Sequence, residues 1–401
     1  MKKNWQPILG NQLRDRALEA TKEIAAELAR LNLPELDASL AGGSAGIALL
    51  YGYLALTNSD PGDKEKAVQY LEAATNSLES EPMSASLYGG FSGIGWACTH
   101  LQKRLEIDIG DFTEIDRALN NCVSISPWRG DYDLIIGLVG LGVYALERLP
   151  HPDARQCLKK VIDRLSEIAK KNSDGIAWFT SPDLLPEWQL KECPRGYYNL
   201  GLAHGVPGVI ALLAHAYRAG IQRRKVERLL RGAVKWILQQ KLIEDEGSYF
   251  SAWTGPGVKQ EACRSAWCYG DPGIAVALLC AARLVGERSW KEEAMKIMLH
   301  AAQRPPDQAG VKDAGLCHGS AGLGHIFNRT FQATGDARFK KAAQLWFQRT
   351  LDLRQPGKGI AGYQAHWPER DGTISWKTDP GLLTGAAGIA LALLAAVTPV
   401  E

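Results

Sequence analysis

Seven Gly-x-x-Gly tetrapeptides, each running into an apolar stretch, limit this chain to a repeat-built architecture. They are Gly43-Ser44-Ala45-Gly46, Gly90-Phe91-Ser92-Gly93, Gly137-Leu138-Val139-Gly140, Gly205-Val206-Pro207-Gly208, Gly270-Asp271-Pro272-Gly273, Gly319-Ser320-Ala321-Gly322 and Gly385-Ala386-Ala387-Gly388. One such tetrapeptide carries no information; seven along one chain describe a unit copied seven times. Glycine suits a tight turn into a helix where backbones crowd, since it takes such turns at no steric cost.

The stretches behind the tetrapeptides, 47–51 and 389–394 among them, are apolar on nearly every side, the mark of a helix buried all round. Between them lie amphipathic stretches. Residues 64–80 place Ala67, Leu71, Ala74 and Leu78 at helical spacing with lysines and glutamates opposite. Residues 153–170 do the same with Leu158, Ile162, Leu165 and Ala169. Buried and half-wet helices alternating seven times predict an all-α chain, an α/α toroid (barrel) of seven helical hairpins. The first glycines stand 47 to 49 residues apart in three intervals and 65 to 68 apart in the other three. Each long interval holds an aromatic, Gly-punctuated insert: 175–179, 247–253, and 359–376 with its Asp371-Gly372 turn. Short strands or hairpins are expected there, at one end of the barrel. The whole chain, 1–401, is expected to form one barrel domain, with 171–200 as an inserted accessory segment near its mouth. Within that segment 188–198 is the least regular part and a candidate flap for a partner.

Hydrophobic residues at 46% and charged residues at 22% are ordinary globular proportions, enough for a sizeable core. A net charge of +2 with no basic block argues against nucleic acid or an anionic membrane as partner. The start of the chain has lysines but no apolar run behind them, so no secretory signal is read. The longest apolar run, 385–397, is too short to span a bilayer. A cytoplasmic protein is expected. Of the eight cysteines, Cys98, Cys157 and Cys280 sit among apolar residues on helical stretches and read as small buried hydrophobes.

The chemistry gathers at one position of the repeat. The residue before the first glycine is His204 in the fourth copy, Tyr269 in the fifth and His318 in the sixth; two before it stand Cys268 and Cys317. In the first, third and seventh copies these places hold Ala41-Gly42, Ile135-Ile136 and Leu383-Thr384, none of them a soft metal ligand. Cys268, Cys317 and His318 therefore make a three-ligand zinc set, which keeps a fourth position for substrate or water. Asp133, four before Gly137, reaches for the same rim, and Arg264 precedes Cys268 on its loop. The other histidines (100, 151, 215, 300, 325 and 366) fall outside this register and read as structural or solvated.

On these residues the sequence resembles the lanthionine synthetase C-like family, the cyclases of lanthipeptide biosynthesis. The resemblance spans the chain and rests on the seven turns and four further segments: 132–138 (YDLIIGL), 199–205 (NLGLAHG), 264–270 (RSAWCYG) and 317–319 (CHG). It implies Zn2+ held by Cys268, Cys317 and His318, with Asp133, His204, Arg264 and Tyr269 as the active-site residues. It further implies a reaction: Michael-type addition of peptide cysteine thiols to dehydroalanine or dehydrobutyrine, giving lanthionine and methyllanthionine thioether rings. The partners implied are a dehydrated precursor peptide with its leader and a separate dehydratase, since no dehydratase region precedes the barrel. His204 is then the candidate proton donor or base. Arg264 and Tyr269 are candidates to steady the enolate oxygen, and Asp133 to orient His204 or substrate.

Two other readings share this fold: a glutathione-using relative that adds its thiol to dehydrated residues, and a non-catalytic zinc scaffold that binds thiols or peptides. A glycosidase on an α/α barrel is disfavoured, because no carboxylate pair stands in rim register.

Overall fold

The computed structural model describes residues 5–57, 60–80, 82–242, 247–369 and 373–401. Each tetrapeptide opens a helix. These seven are Ser44–Ala55, Phe91–Leu105, Leu138–Glu147, Val206–Arg218, Asp271–Val285, Ser320–Thr334 and Ala386–Val397. A glycine is the N-cap of each and brings no capping side chain, so the first amides need other acceptors. They find them in the loop folded back beneath: Ser44 N donates to Asp37 O (2.7 Å), Ser320 N to Asp313 O (2.9 Å) and Ala386 N to Asp379 O (2.9 Å).

That fold-back explains the second glycine of each tetrapeptide. A Cβ on Gly46 would stand 2.5 Å from Leu40 O, and one on Gly208 2.6 Å from Leu202 O. The requirement is space more than dihedral freedom, because Gly43, Gly137 and Gly385 have φ of −111°, −113° and −101°. Only at the fifth turn does the first glycine need the left-handed region, Gly270 having φ +92°. A recurrent Asx turn shapes the same loop, with a side-chain oxygen accepting an amide two residues on. Asn199 takes Gly201 N (2.8 Å), Asp313 takes Gly315 N (3.1 Å) and Asp379 takes Gly381 N (2.7 Å).

Two compact units are formed. One holds the chain up to Ser84 with Tyr88–Gly110 and Val311–Glu401; the other holds Ala85–Leu87 and Asp111–Gly310. In the first, Ser44–Ala55 packs against Phe91–Leu105 and Ala386–Val397, and the latter packs on Ser320–Thr334. Amphipathic helices Asn11–Leu28, Asp63–Ser80 and Ala337–Asp352 lie against them. In the second, Val206–Arg218 packs against Leu138–Glu147 and Asp271–Val285, backed by Pro152–Ile168, Arg223–Leu238 and Arg288–Gln303, with Thr113–Cys122 on Pro152–Ile168.

Burial follows the sequence pattern. Ala386–Val397 buries eleven of its twelve residues, whereas Asp63–Ser80 buries five of eighteen. Leu78 stays half-buried; Tyr70 fills the stripe instead and donates its hydroxyl to Leu28 O at 2.6 Å. Each leucine fully withdrawn from water, such as Leu71 or Leu158, contributes about 1.5–3 kcal/mol. Cys98 and Cys157 are buried as expected, while Cys280 is half-buried with its Sγ 3.4 Å from His215 Nε2.

Short strands appear in all three long intervals. Lys170–Asn172 pairs with Gly175–Ala177, and Ala365–Pro368 with Ile374–Lys377. Phe179–Thr180, Tyr197–Asn199 and Trp253–Thr254 form a three-stranded antiparallel sheet in that order. The insert 247–253 is less regular than expected: strand pairing begins only at Trp253. The cause is Asp271, whose carboxylate takes Ser248 Oγ (2.8 Å) and Tyr249 N (2.9 Å) and holds both off the sheet. Residues 188–198 are more regular than expected, carrying most of a short helix, Glu187–Glu192, and the middle strand. The Asp371-Gly372 turn lies outside the described residues. Among the described residues no helix is long and apolar enough to cross a membrane.

Within each unit the turns are laced to one another in the same register. Leu134 N donates to Ala203 O (3.0 Å) and Ala203 N to Cys268 O (3.3 Å). In the other unit Cys317 N donates to Leu383 O (2.7 Å), Leu383 N to Ala41 O (3.0 Å) and Ala41 N to Tyr88 O (2.9 Å). The residue two before the first glycine is the acceptor in each of these bonds, so Cys268 and Cys317 occupy equivalent places in the repeat.

Candidate active site

The second unit carries a cleft of about 1050 Å3 lined by Asp131, Asp133, His204, Arg264 and Tyr269 among others. All four residues expected as catalytic therefore line one cavity. Asp133 is buried at the third turn and does two things. Its Oδ1 accepts Ile136 N (2.7 Å) and Gly137 N (3.0 Å), fixing the carboxylate to the helix start. Its Oδ2 stands 2.5 Å from His204 Nδ1. A carboxylate held by two amides cannot swing, so the imidazole it binds is oriented too, with Nε2 left as the ring nitrogen free to move a proton.

Electrostatics set the state of His204. Burial works against its charged form, but the hydrogen bond and charge of Asp133, helped by Cys268 and Asp131, outweigh it and hold its pKa above the ordinary histidine value. The Tyr269 ring lies 6.1 Å from the His204 ring. Burial pushes the Tyr269 phenol up, partly opposed by Asn199, whose Nδ2 donates to Tyr269 Oη at 3.0 Å. Tyr269 is thus a neutral hydroxyl at working pH. Arg264 Nη2 donates to Cys268 Sγ at 3.7 Å, placing a cation on a buried sulfur; a cation there favours the thiolate.

The sequence reading missed Asp131. Burial first, then the charge of Asp133, raises its carboxyl to about 6, with His204 opposing. Two carboxylates therefore do meet at the rim, against the expectation of none. The signal was present in Asp131-Tyr132-Asp133, but only the register of the folded turn separates a pocket carboxylate from a solvated one. Also unforeseen is the aromatic wall, where Trp253 stacks on Tyr197 at 5.3 Å and faces Trp188 at 6.2 Å.

In the first unit Cys317 and His318 sit together on the sixth turn. His318 Nδ1 is buried and has no hydrogen-bond partner among the described residues, while its Nε2 lies 4.0 Å from Asp313 Oδ2. Asp313 is itself buried and fixed by Gly315 N (3.1 Å) and His366 N (3.0 Å). An imidazole with a carboxylate on one side and a bare nitrogen on the other is suited to a metal. Cys317 and His318 offer a sulfur and a ring nitrogen side by side, donors of the kind zinc takes. Asp313 was not foreseen, since its sequence signal is that of an ordinary Asx turn.

Comparison with known proteins shows the family. Residues 34–401 match the family described as lanthionine synthetase C-like protein. The chain is 28% identical to "Nisin biosynthesis protein NisC" of Lactococcus lactis subsp. lactis, covering 72% of each chain. It is 26% identical to "Glutathione S-transferase LANCL1" of Danio rerio, over 74% of this chain and 70% of that one. The solved structure of "Nisin cyclase" superposes with a TM-score of 0.73 at 23% identity, covering 94% of this chain and 93% of that one. That likeness shows the fold class expected from the repeats, an all-α toroid. With a family match over nearly its whole length, the chain belongs to the lanthionine synthetase C-like family.

Proposed function

We propose that the protein is a zinc-dependent lanthipeptide cyclase. It adds a cysteine thiol of a dehydrated precursor peptide to dehydroalanine or dehydrobutyrine and closes a thioether ring. The observation that carries the reading is the Asp133–His204 pair at 2.5 Å in a cleft that also holds Arg264 and Tyr269. The likeness to NisC supports a peptide substrate.

Cys268, Cys317 and His318 are the proposed ligands. A zinc ion with two thiolate ligands and one imidazole supplies stabilisation of a further sulfur as thiolate while leaving it electron-rich. The chain's own groups do the rest. His204, its Nδ1 held by Asp133, takes the thiol proton on Nε2. The sulfur forms a bond to the β-carbon as the carbon–carbon π bond breaks, and negative charge passes to the neighbouring carbonyl oxygen. Tyr269 and Arg264 are placed to donate to that oxygen. His204 then returns the proton to the α-carbon, so no atom is gained or lost overall. The raised pKa of His204 favours its protonated form, the one that returns the proton to the α-carbon. The precursor's leader and a separate dehydratase are the proposed partners. The segment 171–200, which supplies Trp188, Gln189 and Tyr197 to the cleft wall, is the proposed accessory element. Eight free cysteines are consistent with a reducing, cytoplasmic setting.

The likeness to a protein named a glutathione S-transferase keeps a second thiol source in view. The test separates the two. A dehydrated cysteine-containing peptide is incubated with the protein, alkylated with a thiol reagent and weighed. Ring closure leaves peptide mass unchanged and removes alkylatable thiol. Addition of glutathione raises the mass by one glutathione and spares the cysteine. Thiol retained at its starting level, without glutathione adduct, would refute both.

A further inference from the structure

Independently of the cyclase reading, the first unit contains a second cavity, of about 390 Å3, that shares no lining residue with the catalytic cleft. Its walls follow from the repeat. The sixth residue after each first glycine in this unit is Leu49, Trp96, His325 or Leu391, and the tenth is Tyr53, His100, Arg329 or Ala395. All eight line the cavity. Residues four apart share one helix face, so the four Gly-started helices turn the same face toward one space. In the second unit the sixth position holds Val143, Ala211 and Val276. In the first unit the register includes two histidines, a tryptophan, a tyrosine and an arginine.

These side chains are organised. Trp96 stacks on His100 at 4.9 Å and 8°, and His100 Nε2 meets Tyr53 Oη at 3.0 Å. One turn further along, Arg104 lies over the Tyr53 ring at 5.9 Å, exposed at the cavity's edge. Among the described residues Arg104 has no acidic partner. Arg329 is engaged instead, its Nη2 2.9 Å from Glu401 Oε1 and its guanidinium 5.7 Å from the Trp5 ring. Leu49, Leu316, Leu391 and Leu394 supply the apolar remainder. From the sixth residue of a helix to the fourteenth, the rise is about 12 Å. The space thus runs from an unpaired cation to an aliphatic and aromatic floor. Ligand sites are concave and mostly apolar, with a few polar groups that fix orientation.

We propose that this cavity binds an amphiphilic monocarboxylate, a medium-chain acyl acid, with its carboxylate on Arg104 and its chain along Leu49, Trp96 and Leu391. Of the charged groups lining the cavity, the Glu401 carboxylate is paired with Arg329, which leaves Arg104 and a positive balance that favours a carboxylate over an amine head group. A neutral alcohol would lose the charge-assisted bonds that a guanidinium makes with a carboxylate.

The experiment is calorimetric titration of the full-length protein with decanoate, with decylammonium as the charge-reversed probe. The expected result is one saturable decanoate site and no saturable decylammonium site. Arg104→Gln, a change at an exposed position, is expected to weaken decanoate about tenfold. Leu391→Trp, which fills the cavity, is expected to remove binding, with thermal melting confirming that both variants are folded. Absence of saturable decanoate binding would overturn the proposal. So would unchanged affinity in the two variants, or decylammonium binding as tightly as decanoate.

Discussion

Replacing Asp133 by asparagine separates its two duties. Asparagine keeps an oxygen in the place of Oδ1, so the bonds from Ile136 N and Gly137 N survive. At the other position an acceptor becomes a donor facing His204 Nδ1, where the carboxylate now stands 2.5 Å away. The imidazole is then driven to carry its proton on Nε2, the nitrogen that must accept one. The charge that outweighs burial is lost as well, so the His204 pKa falls from its raised position. The chemical step loses about 10²–10⁴-fold, the usual contribution of a positioned acid or base. The stability effect is smaller. A charged hydrogen bond is worth about 1.5–3 kcal/mol, but the His204 side chain is 39% exposed, and solvent screening brings this to about 1 kcal/mol. Its sign with pH is set by the raised pKa. The stabilisation is fully present below the unfolded value of 6.5 and disappears as pH rises through the folded value. The melting-temperature gap between wild type and Asp133→Asn should therefore be widest below about pH 6.5 and narrow as pH rises above it. Single-turnover thiol loss from a dehydrated peptide gives the rate. Wild-type turnover in Asp133→Asn, or a melting gap that widens with pH, would refute this reasoning.

Three further outcomes are expected. Gly46→Ala should lose about 1–3 kcal/mol of stability by denaturant unfolding, because its Cβ would meet Leu40 O at 2.5 Å and Leu382 Cβ at 2.9 Å; Gly42→Ala, with open space around it, should lose far less. Asp131→Asn should be more stable than wild type at pH 7 by about 1 kcal/mol, after discounting for solvent. The sign follows from its carboxyl being raised from 3.8 to about 6: wild type loses stability as pH climbs through that window, and the advantage should vanish at pH 4. Asp116→Ala should cost about 3–5 kcal/mol in the same unfolding experiment. Asp116 is fully buried, and its removal strands Arg148, whose Nη2 it binds at 2.6 Å, along with the Tyr144 hydroxyl.

Much of this was legible in the sequence because the repeat is enforced by sterics. A Cβ at Gly46 or Gly208 collides with a backbone carbonyl, so the glycines persist as visible marks and their register can be counted. The same count aligned Cys268 with Cys317 and His204 with His318, because backbone bonds lace neighbouring turns at that position. What stayed hidden depends on where carboxylates point. Asp131 and Asp313 sit six before the first glycine, in loops where a polar residue serves the turn whatever else it does. Asp313 holds Gly315 N like any Asx residue; that it also lies beside His318 is a matter of three-dimensional placement. Likewise His100 and His325 read as structural because their face, six and ten residues into the helices, has no sequence mark until the helices are packed.

The central claim is a soft-ligand zinc centre that takes the peptide's thiol. Zinc K-edge absorption of the purified protein, before and after adding a dehydrated cysteine peptide, tests it most directly. The expected spectrum has two sulfur neighbours at about 2.3 Å, supplied by Cys268 and Cys317, and gains a third on peptide addition. A sulfur count that stays at two with peptide bound, or stoichiometric zinc retained in Cys268→Ala with no change in the edge, would be incompatible with it.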